Sequence, residues 1–185
     1  WTYSRRWPGR NYRHDSPYTG QILSFDQRTV YALRAFPSPG RMSPQFIPGK
    51  RGYSLVAYRY DPNGTATPPG RARVDAGDAL VRWQRCVPIR SRGMVLAGDV
   101  LFLAGVPDVV PQDDLYAALD GRMGALLWAV SATNGRKLAE VKLKSPPVCD
   151  GMIAAGGRLY VSGADGALVC LDRAGDAPST DQPDR

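Results

Sequence analysis

Histidine occurs once in this chain, at His14, and cysteine three times, at Cys86, Cys149 and Cys170. A single histidine excludes a histidine-rich metal centre. His14 stands beside Asp15, but no nucleophile or second ligand lies at a useful spacing, so the pair reads as ordinary surface. Three widely spaced cysteines fit neither a disulfide framework nor a CxxC zinc site. Cys149 and Cys170 can form a disulfide only if their strands are neighbours. The plainer expectation is buried thiols, because cysteine packs as a small hydrophobe. No run of 18 apolar residues is present, so no membrane-spanning helix is expected. No long helical period is present either. Asp61, Asn63 and Thr65 alternate as in a calcium loop, yet Ala72 stands where the twelfth-position Glu belongs, which leaves a plain surface connection.

Turn-forming residues are abundant, with Gly 20 and Pro 16 among 185 residues, and this predicts an all-β chain. Lys+Arg 24 against Asp+Glu 17 gives a net charge of +7. The excess is concentrated at the start, where Arg5, Arg6, Trp7, Arg10, Tyr12 and Arg13 form a basic aromatic arm within an irregular segment, residues 1–20. Such residues can hold a polyanion or a flat ligand; they also cover the edge of a sheet, and the second reading is favoured. Positive charge alone does not specify nucleic acid. Residues 173–185 are polar and proline-bearing and are expected to form a loose tail. The chain begins with Trp1, which suggests a processed chain or a fragment.

A thirteen-residue phrase occurs twice, GMVLAGDVLFLAG from Gly93 and GMIAAGGRLYVSG from Gly151, with six identities. Each is followed by a second shared phrase, GALLWAV from Gly124 and GALVCLD from Gly166. Short apolar runs broken by glycines predict repeated hairpins, and residues 21–60 look like a degraded copy. The predicted units are approximately 21–78, 79–137 and 138–172. Gly93, Gly98, Gly151, Gly156, Asp165 and Gly166 are expected to frame the turns, with Trp83 and Trp128 packed within the sheets.

The two clear copies differ chiefly by residues 106–122, VPDVVPQDDLYAALDGR. A short helix is expected there, capped by Asp113 or Asp114 and running through Leu119. Insertions in repeat folds often do the binding, which makes Tyr116 a candidate contact residue. Asp108, Asp113, Asp114 and Asp120 are weak metal candidates, because capping and solvation explain them as well.

The stretch SPPVCDGMIAAGGRLYVSGADGALVCLD resembles the repeat of the PQQ-like, or quinoprotein-like, bacterial β-propellers, including the barrel-assembly lipoprotein group. Gly163, Asp165, Gly166, Leu168, Leu171 and Asp172 match its middle strand, and Asn134-Gly135-Arg136 matches the turn before the next one. The resemblance covers about two-thirds of the chain and implies a partial β-propeller of about three blade-like units. It implies a bacterial, periplasmic or secreted setting. The partners it implies are the remaining blades of a longer precursor or other protein subunits. The family's quinoprotein dehydrogenases are expected to carry a calcium site, a catalytic Asp, a tryptophan platform and an adjacent-cysteine disulfide. This chain has no adjacent cysteines and no Asp assignable to those roles. The expectation is therefore a non-catalytic structural or protein-binding portion without cofactor. The alternatives are a domain framing a redox cofactor in a larger enzyme and a basic polyanion-binding module.

Overall fold

The computed structural model describes residues 2–3, 18–35, 52–60 and 80–172. The described chain is all-β, and its strands run in order as antiparallel meanders. A two-residue ladder joins β1 (Thr2–Tyr3) to β2 (Tyr18–Thr19), so the two ends of the segment expected to be irregular are paired. The first sheet holds β3 (Ile22–Phe25), β4 (Thr29–Arg34), β5 (Tyr53–Arg59) and β6 (Val81–Val87). The second holds β7 (Ile89–Ala97), β8 (Val100–Pro107), β9 (Ala125–Ser131) and β10 (Lys137–Leu143). The third holds β11 (Pro147–Ala155), β12 (Arg158–Gly163) and β13 (Leu168–Leu171).

The unit limits expected at 78/79 and 137/138 move to the sheet limits at 87/89 and 143/147. The reason is pairing. β6 completes its ladder on β5, and β10 completes its ladder on β9, so each belongs to the sheet before it. The fourth strands carry Arg82, Gln84 and Arg85 in one case and Lys137, Glu140 and Lys142 in the other. Charges on an edge strand discourage pairing with a further chain.

The ladders show that the three sheets are built alike. Tyr31 lies opposite Ala57, Phe102 opposite Ala129, and Tyr160 opposite Cys170. One step along the same face, Leu33 opposes Leu55, Ala104 opposes Leu127, and Ser162 opposes Leu168. Paired residues share a face of the pleat, so each sheet presents one aromatic and its small partner at the same place.

The sheets are layered through two apolar seams. Between the first and second, Tyr31, Leu33, Leu55, Trp83 and Val87 pack with Ile89, Leu101, Leu103 and Val130. Between the second and third, Ala104, Leu127 and Leu143 pack with Leu159 and Val161, flanked by Phe102 and Met152. Each of these large aliphatic side chains contributes on the order of 1.5–3 kcal/mol when fully buried. The first strands also meet: β3 lies against β7, and β7 against β11. Gly93 faces Met152 across the second approach, and a Cβ there would stand 2.8 Å from the Met152 sulfur. The far face of the first sheet, with Val30, Ala32, Val56 and Tyr58, is buried too.

Trp83 and Val87 face inward, as the bulk of the tryptophan predicts. The turn after β9 docks on that tryptophan. Trp83 Nε1 donates to the Ala132 carbonyl at 2.9 Å, and the Tyr31 hydroxyl approaches the same oxygen at 3.4 Å. Gly135 closes this turn with φ +73°, and a Cβ there would lie 2.6 Å from the Trp83 ring. Only glycine meets both demands.

Candidate contact surface

Among the described residues, exposed apolar side chains gather on two surfaces, apart from Phe25 on β3 and Leu138 and Val141 on β10. The first is the insertion between β8 and β9. The helix expected from Asp113 or Asp114 through Leu119 is not formed; residues 115–123 are a chain of turns. Most of its backbone bonds span three residues, from Ala117 N to Asp114 O, Gly121 N to Ala118 O and Gly124 N to Gly121 O, with Asp120 N to Tyr116 O spanning four. A helix needs a sustained i→i−4 ladder, and only one of these bonds has that span.

Arg122 holds the turns together. Its guanidinium donates to both Asp114 oxygens, at 2.7 and 2.6 Å, and also to Asp120. The hydrogen bonds from Arg122 hold the Asp114 carboxyl below its ordinary value, and the two carboxylates raise that of Arg122. Arg92 reaches the insertion from below, donating to the Leu119 carbonyl at 3.1 Å. It can do so because the β7–β8 register shifts between Ser91 and Gly93, which leaves Arg92 as the extra residue of a bulge. Ser91 braces that bulge by sharing its hydroxyl proton between the Gly93 and Ala104 carbonyls, at 2.7 and 3.0 Å. Ala118 plugs the base of the loop, while Leu115, Tyr116, Leu119 and Met123 face outward, Tyr116 being 64% exposed.

The four aspartates of the insertion do not converge on a metal. Among the described residues no group of three or more His, Cys, Asp or Glu side chains is placed to hold one. Asp114 and Asp120 both pair with Arg122. Asp108 is turned away and buried, with Arg90 at 3.6 Å. Tyr53 stands near this pair, and burial raises its phenol above the ordinary value.

The second surface is the outer face of the third sheet. Ile153 and Leu168 are exposed there at 59% and 66%, with Cys170 exposed and Tyr160 half-buried between them. Arg158 donates to Asp172 at 2.8 Å at one end of the same face.

The remaining candidates fall as follows. Arg5, Arg6, Trp7, Arg10, Tyr12 and Arg13 lie outside the described residues, as do the calcium-like stretch 61–72 and the tail 173–185. Gly98, Gly156 and Gly166 all take positive φ at turns, at +56°, +58° and +82°. Asp165 caps its turn by accepting from Ala167 N at 3.1 Å. A Cβ at Gly151 would clash with the Val148 side chain and stand 3.1 Å from the Ser162 carbonyl oxygen. Trp128 packs on the first seam and donates to Glu140 at 2.8 Å, with the Lys137 ammonium 4.6 Å from its ring centre.

The expectation of buried thiols is corrected: Cys86, Cys149 and Cys170 are all exposed. A Cys149–Cys170 disulfide is also corrected. β12 stands between β11 and β13, so the neighbouring-strand condition fails and neither cysteine is in a disulfide. Sequence reasoning missed the Arg122 clamp and the Arg92 brace. The spacing of Asp114 and Asp120 around Arg122 carried the first; nothing in the sequence marks the bulge behind the second. No described helix is long and apolar enough to cross a membrane. No protein-family model matches the chain, and no curated protein matches it.

Proposed function

We propose that this chain is a non-catalytic portion of a β-propeller of the PQQ-like kind, with a structural or protein-binding role. One observation carries the reading: three successive meanders place the same aromatic–small pair at the same ladder step, and their first strands lie side by side. A propeller is a ring of such meanders packed face to face. The clamped insertion supplies a preformed contact patch, because its exposed Leu115, Tyr116 and Met123 need little ordering on binding. The bacterial, periplasmic or secreted setting belongs to the same proposal.

The test is a titration of the purified protein with calcium and the quinone, followed by absorbance. A non-catalytic portion gives no saturable change. A saturable change with a new absorbance band overturns the proposal in favour of a domain that frames a redox cofactor.

A further inference from the structure

We infer that the free edge of β13 docks an extended segment of another polypeptide, which joins the third sheet as its fourth, antiparallel strand. The inference rests on the repeated-meander reading above. The first and second sheets each run to four strands, closed by β6 and β10, whereas the third stops at β13. Its ladder fixes which backbone groups are left open. Gly163 N donates to Ala167 O at 2.7 Å, and antiparallel bonding alternates from one step to the next. Val169 and Leu171, opposite Val161 and Leu159, therefore direct their N–H and C=O groups to β12. Those of Leu168 and Cys170 point the other way, to the open edge. The equivalent residues of the other sheets are paired: Leu55 lies opposite Arg85 and Ala57 opposite Trp83, Leu127 opposite Val141 and Ala129 opposite Ala139.

The two resident fourth strands show what kind of segment fits. Each is antiparallel to its neighbour, and each sets a polar residue at the step that Val169 holds in β13: Gln84 opposite Val56, and Glu140 opposite Trp128. As outermost strands they carry charge, which blunts a sheet edge; Leu168-Val169-Cys170-Leu171 carries none. An uncharged edge with open backbone groups is a template for strand addition. The adjoining residues 173–185 do not suit the position, for they include Pro178 and Pro183 and no Val, Ile, Leu, Phe, Tyr or Trp. The occupant is therefore a proline-free strand of a separate chain, with a polar residue opposite Val169 and apolar residues on either side of it.

A fluorescent peptide of residues 134–144, which carries the β10 sequence, tests this when titrated into the full chain. Binding that saturates below about 1 mM is expected, together with slower amide exchange at Leu168 and Cys170. The same peptide N-methylated at Ala139 and Val141 keeps every side chain but loses the donors that face the neighbouring strand, and it should not bind. Cys170→Pro removes a donor from the open edge and spares the bonds to β12, so it should weaken binding by at least about tenfold. Cys170→Ala keeps that donor and should bind like the unsubstituted chain. No saturable binding, or equal binding of the methylated peptide, overturns the inference. So does protection of the Leu168 and Cys170 amides in the chain alone, which would mean that the chain covers its own edge. Amide exchange in β12 separates this from failure of the meander reading. If β12 is protected while the peptide fails to bind, only the docking inference falls; if β12 exchanges freely, the meander reading falls with it.

Discussion

The indole N–H of Trp83 and the backbone carbonyl of Ala132 meet at 2.9 Å, although they belong to different sheets. The bond ties the edge strand of the first sheet to the β9–β10 turn of the second. Trp83→Phe keeps most of the apolar bulk and removes the donor. It should cost about 1–2 kcal/mol, the usual toll for a buried acceptor losing a partner. Urea unfolding should show this as a lower midpoint with an unchanged slope.

Gly135→Ala should destabilise by more than Gly156→Ala. Both glycines take positive φ, at +73° and +58°, so both variants carry the backbone cost of roughly 1 kcal/mol. At Gly135 the new methyl would also press on the Trp83 ring, whereas Gly156 has open space. Paired urea curves check the difference, and equal losses would mean that the turn does not dock on Trp83.

Tyr31 makes the seam sensitive to alkali. Burial raises its phenol above the ordinary value of 10.0. A group raised in the folded state contributes stability that is fully present below its unfolded value. That contribution is lost as pH rises through the folded one. The chain should therefore lose stability above about pH 10, and Tyr31→Phe should flatten that limb. Thermal melts across the alkaline range measure it; an unchanged limb would place Tyr31 in water.

Arg122→Gln should free the insertion without disturbing the sheets. Its bonds to Asp114 and Asp120 lie at the surface, so the urea midpoint should barely move. Protease cleavage within residues 109–123 should become faster. Acid should do the same to the unsubstituted chain. The Asp114 carboxyl is depressed, so its contribution is present above the ordinary carboxylate range and disappears as pH falls through the folded value. Proteolysis at falling pH follows the loosening, and the Arg122→Gln chain should show no acid-dependent gain.

The strands are largely legible because apolar and β-branched runs are bounded by turn-forming residues: the runs from Thr29 to Leu33, Tyr53 to Tyr60 and Leu168 to Leu171 fall almost on β4, β5 and β13. Sheet membership was not legible, because pairing is a long-range choice; β6 and β10 look the same whether they close one unit or open the next. Register is not legible from the shared phrases. Matching the letters GAL sets Leu126 on Leu168, but the ladders make Leu127 its equivalent, opposite Ala104 as Leu168 is opposite Ser162. A slip of one residue turns a side chain to the other face, and so the open face of the third sheet was hidden. The insertion deceived for a different reason. Its apolar spacing suits a helix, but the Arg122 clamp draws the chain back on itself within one turn.

The most direct measurement is the rate at which Cys149 and Cys170 react with a maleimide in the assembled protein. Both thiols are exposed in the single chain, on β11 and β13. If the outer face of the third sheet is an inter-sheet surface, Cys170 should react at least about tenfold more slowly than Cys149, because access limits thiol reactivity. Ile153→Lys with Leu168→Lys should restore it. Equal rates for the two thiols in the unsubstituted protein would contradict the account.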